Sequence, residues 1–448
     1  TENKSTHILT SSINNHSWLG ALSTYNYKLD ENFDFSGGLD LRTYKGEHYR
    51  EIYDLLGGDY YVGSNQPGST YIGASNDNII LREGDKLYYH NDGLVRWLGG
   101  FGQVEYNYNN VTAFLNLTGS HKFYKRIDYF KKQDLVLEDT TLTQAVGVNE
   151  AIWYDGNRYT LESDEARFAE TNWEVFPGYT VKLGANWNID QHHNVFFNTG
   201  VLSQAPTFAN VFTYDNVSYD LTNNNRVEAV ELGYGYRSSD FSLNFNIYNT
   251  VWQNKPQSGP FPLDGGDMGT ANLIGMDALH KGIELDFAWK LSDKIIYEFL
   301  SSFGDWRWTS EDAISYVYYE QQLVETHIIN MKDVPVGDSP QTQIGSTISY
   351  NYKINKNSKG YIKLKGMYFD KFFSDYKFRD YIDDQVFSTE DFIVQDPWQI
   401  PGYALFSLHM GHNLFFDKSS LHFKLNILNL FDAKYINDAD NNNASDPP

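Results

Sequence analysis

The 448 residues contain no cysteine. Disulfides, thiolate nucleophiles and cysteine-based metal sites are therefore excluded. No run of about 18 apolar residues occurs either, so no stretch reads as a membrane-crossing helix. Basic residues are in the minority: 35 Lys and Arg against 58 Asp and Glu give a net charge of −23. That balance argues against a nucleic-acid partner, because phosphate recognition needs basic patches. The acidic excess lies mostly in segments that read as loops. No Walker, G-x-S-x-G or G-x-G-x-x-G motif stands in a strand-to-helix setting. The opening, Thr1-Glu2-Asn3-Lys4, carries no signal peptide and reads as the middle of a longer polypeptide.

Aromatic residues, in contrast, are abundant. They make up 16% of the chain, with 34 Tyr, 29 Phe and 10 Trp, an excess that suits strands and interfacial girdles. Mean hydropathy is −0.52. A transmembrane barrel escapes that measure, because only every second residue of its strands meets lipid. The pattern along the chain is alternation. Val230, Leu232, Tyr234 and Tyr236 alternate with Glu231, Gly233, Gly235 and Arg237. Ile283, Leu285, Phe287 and Trp289 alternate with Glu284, Asp286 and Lys290, and Leu421, Phe423, Leu425 and Ile427 with His422, Lys424 and Asn426. A period of two is a strand with one apolar and one polar face. About 14 strands are read in this way.

The connections alternate as well. Short ones fall at Asp30 to Asn32, Asn109-Asn110, Asp190 to His193, Ser238 to Asp240, Ser292-Asp293, Ile354 to Lys359 and Asp417 to Ser420. Long ones run near 44–94, 129–177, 206–226, 252–280, 308–339 and 370–401. Segregating loop length by end is the habit of bacterial outer-membrane barrels, with short periplasmic turns and long extracellular loops. The expected fold is all-β: a transmembrane antiparallel β-barrel whose apolar parity, including Val230, Leu232, Ile283, Leu285, Phe287, Phe423 and Leu425, faces lipid. Glu231, Glu284, Asp286 and Lys424 should face the lumen.

Several stretches resemble one family. Asn429-Leu430-Phe431-Asp432 with Tyr435 resembles the NLFD-x-x-Y run of TonB-dependent outer-membrane transporters. Ser203 to Phe208 resembles their S-x-x-P-x-F run, Arg226 to Gly233 their E-x-x-x-E-x-G strand, and Lys281 to Glu284 a strand start. Asn15 to Gly20 and Asp40 to Gly46 look like Bacteroidota versions. The resemblance covers essentially residues 1–448 and implies a barrel of about 22 strands with an N-terminal plug. Neither a plug nor a closing strand is visible here, so the chain reads as the C-terminal part of such a barrel.

The resemblance further implies an outer-membrane location, contact with lipid and lipopolysaccharide, coupling to the TonB energy complex through the N-terminal part, and a surface lipoprotein partner. The function it implies is TonB-dependent uptake of a bulky nutrient of the siderophore, glycan, peptide or cobalamin class. The alternative is a non-energised barrel acting as porin, adhesin or scaffold. No catalytic residues, cofactor or metal ligands are expected. His192-His193 reads as a solvated turn. Asp264, Asp267, Asp383 and Asp384 read as solvated acidic loops, with calcium binding as the other option. Trp252, Trp306 and Trp308 read as an interfacial girdle. Trp153, Tyr154, Trp173 and Trp398 are the ligand-binding candidates, because loop aromatics suit sugars, peptides and chelates.

If the long connections face outward, protease added to intact cells nicks 44–94 and 129–177 first. Cleavage at Asp190–His193 with those segments spared would reverse the orientation.

Overall fold

The computed structural model describes residues 2–63, 79–147, 151–160, 162–167, 169–212, 216, 218–219, 223–255, 257–263, 268–319, 322–374 and 396–439. The four acidic calcium candidates lie outside the described residues.

Fourteen strands form one continuous antiparallel wall in chain order. They are β1 (Leu9–Lys28), β2 (Phe33–Asp54), β3 (Lys86–Tyr108), β4 (Val111–Asp128), β5 (Glu174–Asn188), β6 (His193–Gln204) and β7 (Asn225–Arg237). The wall continues with β8 (Phe241–Gln253), β9 (Ala278–Lys290), β10 (Ile295–Trp308), β11 (Thr342–Asn355), β12 (Ser358–Asp370), β13 (Tyr403–Phe415) and β14 (Ser420–Ile427). β1 and β14 are its two edges, and the wall does not close on itself.

The register confirms the two faces. Leu232, Ile247, Ile283 and Phe303 are successive cross-strand partners, and each is 43–49% exposed. Large apolar side chains left open in mid-strand suit hydrocarbon, not water. One residue along, the row is Gly233, Asn246, Glu284, Ser302 and Gln343. The polar face is held by amide–carboxylate rungs: Asn198 donates to Glu231 at 3.3 Å and Asn244 to Asp286 at 3.0 Å. All seven apolar-parity residues named above share the first face, and Glu231, Glu284, Asp286 and Lys424 share the second.

One end of the wall carries tight turns. Asp30 Oδ1 accepts the amides of Asn32 and Phe33, and Asp190 Oδ1 those of His192 and His193. An Asp side chain capping the next backbone amides is a turn device written directly in the sequence. Above these turns an aromatic belt runs along the apolar face. Phe33 meets Tyr106 at 4.8 Å, Phe241 meets Trp289 at 6.2 Å, and Phe287 meets Tyr297 at 5.8 Å. Such a belt is the interfacial girdle of a membrane barrel.

The other end departs from the simple reading of loops. β2 continues to Asp54 and β3 begins at Lys86, so residues near 44–54 and 86–94 are strand rather than loop. Their alternation fades because both faces there are polar. The connections between β8 and β9 and between β10 and β11 also fold. Gln257–Pro262, Met268–Ile274, Ala313–Tyr319 and Gln322–Ile329 make one four-stranded antiparallel sheet. It sits on the largest apolar cluster among the described residues, which includes Phe261, Leu273, Met276, Trp308, Val317 and Ile329.

Trp308 is 2% exposed at the centre of this cluster, so it is a core residue and not part of a girdle. Trp252 and Trp306 share the polar parity of Asn246 and Glu284, so they too are turned away from lipid. We expect Trp308→Ala to cost about 3–5 kcal/mol locally. Hydrogen exchange should speed up in Met268–Ile274 and Ala313–Tyr319, while β5 to β7 keep their protection.

Candidate functional site

The cavities lie on the polar face, which identifies it as the concave, lumenal side. Two of them adjoin. One, of about 430 Å³, is lined by residues including Asp40, Phe101, Asn116 and Thr118. The other, of about 550 Å³, is lined by residues including Trp18, Arg42, Tyr44 and Phe208. Both share Trp97, Lys122, Gln204 and Ala205. These volumes are in the range of small-molecule sites.

Strand parity delivers the side chains. Arg42, Trp97 and Lys122 form one cross-strand row of β2, β3 and β4. Asp40 grips the Arg42 guanidinium with two bonds, at 2.7 and 2.6 Å. The Lys122 ammonium lies 5.3 Å from the Trp97 ring centre and 5.8 Å from that of Tyr124. Cations resting on aromatic faces leave both charge and flat apolar surface to a ligand.

The chain leaving β6 closes the upper rim. Tyr124 Oη donates to the Pro206 carbonyl at 2.8 Å, and the Phe208 ring lies 5.8 Å from Tyr124 and 5.3 Å from Phe212. Phe208 rests over Gly93, where an added Cβ would approach its ring to 3.3 Å. The Ser203 to Phe208 motif thus turns a segment inward over the wall. A second lumenal group stands on β8 to β10. His280 lies between Trp252 and Trp306, at 6.4 and 5.6 Å. Trp306 Nε1 donates to Tyr248 Oη at 2.9 Å. Gly282 and Gly304, opposite one another, leave room for these rings to lie flat.

The four sequence candidates fall on three separate elements. Trp153 and Tyr154 sit in a hairpin, Ile152–Tyr154 against Asn157–Tyr159, turned by Asp155 and Gly156 at positive φ. Trp153 is 70% exposed there. Trp173 lies on the opposite side of the wall from the cavities, with the Arg96 guanidinium 4.4 Å and the Lys125 ammonium 6.0 Å from its ring centre. Trp398 precedes the short ladder of Gln399–Ile400 with Phe372–Phe373, and its carbonyl accepts the Ser374 amide at 2.9 Å. Sequence reading passed over Arg42, Trp97 and Lys122 because they lie within strands. Parity counted from Leu39 and Leu41 would have turned Arg42 inward, and parity counted from Leu115 and Leu117 would have turned Lys122 inward. Among the described residues, no group of three His, Asp or Glu side chains is arranged to hold a metal ion.

Above the lipid band, β2 and β3 carry an ionisable cluster. His90 Nε2 lies 3.1 Å from Lys86 Nζ and 3.3 Å from Glu47 Oε1, and its ring stacks on Tyr129 at 4.2 Å. Tyr129 Oη donates to Asp92 Oδ2 at 2.6 Å, and Lys45 Nζ reaches the same oxygen at 2.6 Å. Burial first, and Lys86 second, hold His90 below the usual imidazole range against the opposing pull of Glu47.

A depressed histidine pKa favours folding above the unfolded value of about 6.5, and that contribution is lost as pH falls through the folded value. The protection factors of the Tyr129 and Phe130 amides, corrected for the intrinsic pH dependence of exchange, should therefore fall between about pH 7 and pH 5. His90→Phe, which keeps the stack, should flatten the response.

A family profile described as "TonB dependent receptor-like, beta-barrel" matches residues 3–430. No curated protein matches the sequence. Among solved structures, the copper transporter OprC superposes with a TM-score of 0.57 at 11% identity, covering 97% of this chain and 54% of its own. The ferric yersiniabactin uptake receptor FyuA of Yersinia pestis gives 0.54 at 9% identity, with 97% and 52% covered. The ferric-catecholate import receptor Fiu of E. coli K12 gives 0.53 at 12%, with 96% and 52% covered. The chain thus spans about half the length of these structures. At such identities the likeness is one of fold. With an antiparallel wall, an apolar outer face and a profile matched over residues 3–430, the chain belongs to the TonB-dependent receptor β-barrel family of the bacterial outer membrane.

Proposed function

We propose that the protein of which this chain forms the wall is an energised importer, and not an enzyme. It would take a bulky nutrient of the siderophore, glycan, peptide or cobalamin class across the outer membrane. The observation that carries this reading is the paired lumenal cavity at Trp97 and Lys122, roofed by Phe208. A wall built only to pass water and ions has no need of cations laid on inward-facing rings. The similar structures, a copper transporter and two ferric-chelate receptors, favour a metal or metal-chelate cargo.

In this reading the long connections face outward and meet the nutrient first. Trp153, Tyr154 and Trp398 contribute there, and Trp173 contributes through its stack with Arg96. Lipopolysaccharide surrounds the outer face, a surface lipoprotein docks on the long connections, and TonB acts through a part of the protein N-terminal to this C-terminal portion of the barrel. The Bacteroidota assignment rests on the Asn15 to Gly20 and Asp40 to Gly46 stretches.

The test is nutrient uptake by cells carrying the full-length protein, with and without TonB. Uptake should stop without TonB. Trp97→Ala should weaken ligand binding about 10- to 100-fold, or about 1.4–2.7 kcal/mol. Uptake that persists without TonB would assign the chain to a passive pore.

A further inference from the structure

Next to the larger cavity, two donor atoms hang over a single glycine and a third lies beside one of them. His16 on β1 is the cross-strand partner of Gly46 on β2, and Gly46 is flanked on the same face by Tyr44 and His48. Tyr44 Oη lies 2.6 Å from His16 Nδ1. A Cβ on Gly46 would collide with Tyr44 Oη and lie 2.9 Å from His48 Nε2, so both atoms hang over the bare backbone. The two imidazole rings are 5.9 Å apart, nearly edge to face at 74°.

We propose that His16, Tyr44 and His48 form a binding site for a single first-row transition-metal ion, Cu²⁺ foremost. An ion about 2.1 Å from a ring nitrogen lies roughly 3.2 Å from the ring centre. Two rings on one ion are then about 5.2 Å apart at a tetrahedral angle and about 6.4 Å apart when opposed, and the observed spacing falls between. His48 is prepared for the role. Its Nδ1 lies 2.6 Å from the Asn14 carbonyl oxygen, which can only accept, so Nδ1 carries the proton and Nε2 keeps its lone pair.

Imidazole nitrogens suit Cu, Zn and Ni, and the divalent series peaks at Cu²⁺. On binding, Tyr44 releases its proton to solvent and ligates as phenolate. The third donor is thus a tyrosine, which lies outside the usual carboxylate, thiolate and imidazole sets. Tyr44 also lines the larger cavity, beside Trp18 at 4.8 Å, so the ion would sit at the cavity mouth. This deepens the uptake reading by naming the cargo's chemistry, and it is tested without transport.

The measurement is titration of the full-length protein in detergent with CuCl₂, followed by calorimetry, absorption and electron paramagnetic resonance. One equivalent should bind, with two nitrogen ligands in the resonance spectrum and a phenolate-to-copper absorption band. His16→Ala and His48→Ala should each lower affinity at least tenfold. Tyr44→Phe should abolish the absorption band while leaving the melting temperature unchanged, which separates ligation from folding. Gly46→Ala should weaken binding without removing any donor. His422→Ala on β14 should change nothing. Failure of the wild-type protein to bind copper, or wild-type affinity in the His16 and His48 variants, overturns the site. TonB-dependent uptake of a metal-free nutrient alongside such a failure would leave the transport reading standing.

Discussion

Backbone pairing in a solvent that offers no hydrogen bonds is the constraint on which the rest of this structure depends. Each amide and carbonyl unpaired in hydrocarbon costs several kcal/mol. The wall meets that demand with fourteen strands in unbroken antiparallel register. Pairing fixes parity, and parity decides which side chains meet lipid and which meet the lumen. The wall needs no packed core of its own. Among the described residues, the three apolar clusters all involve the long connections or the strand ends next to them.

That division explains how much was legible. Wall strands were readable because lipid on one side and polar lumen on the other impose a strict period of two. The turns were readable because Asp30 and Asp190 cap their own following amides. The upper ends of β2 and β3 were not, because above the membrane neither face must be apolar and the alternation lapses. The tryptophans failed for a different reason. A ring at a strand end looks the same in sequence whether it meets a headgroup or a folded connection. Trp252 could still have been placed from its parity with Asn244 and Asn246. Trp308 could not, since its neighbours belong to strands that form only when two distant connections pair.

The site was less legible than the fold. Sequence reading sought ligand chemistry in the connections, where tryptophans are conspicuous. The structure concentrates it on the wall, where Arg42, Trp97 and Lys122 lie side by side although scattered over 80 positions of sequence. Glycine was the overlooked signal. Gly46, Gly93, Gly282 and Gly304 each lie under an aromatic or imidazole ring that a Cβ would displace or crowd. Within a strand, where glycine costs conformational entropy, such positions mark places where a side chain must lie flat against the backbone.

The shared sheet above β8 to β11 has a consequence for how this surface can vary over generations. Met268–Ile274 pairs directly with Ala313–Tyr319, although the two segments belong to different connections. A length change or recombination affecting one alone would break a ladder and expose the cluster around Trp308. The two connections are therefore heritable as one cassette. Surface diversification, whether to evade phage or antibody or to change cargo, should exchange them together or restrict itself to the tips beyond the paired residues.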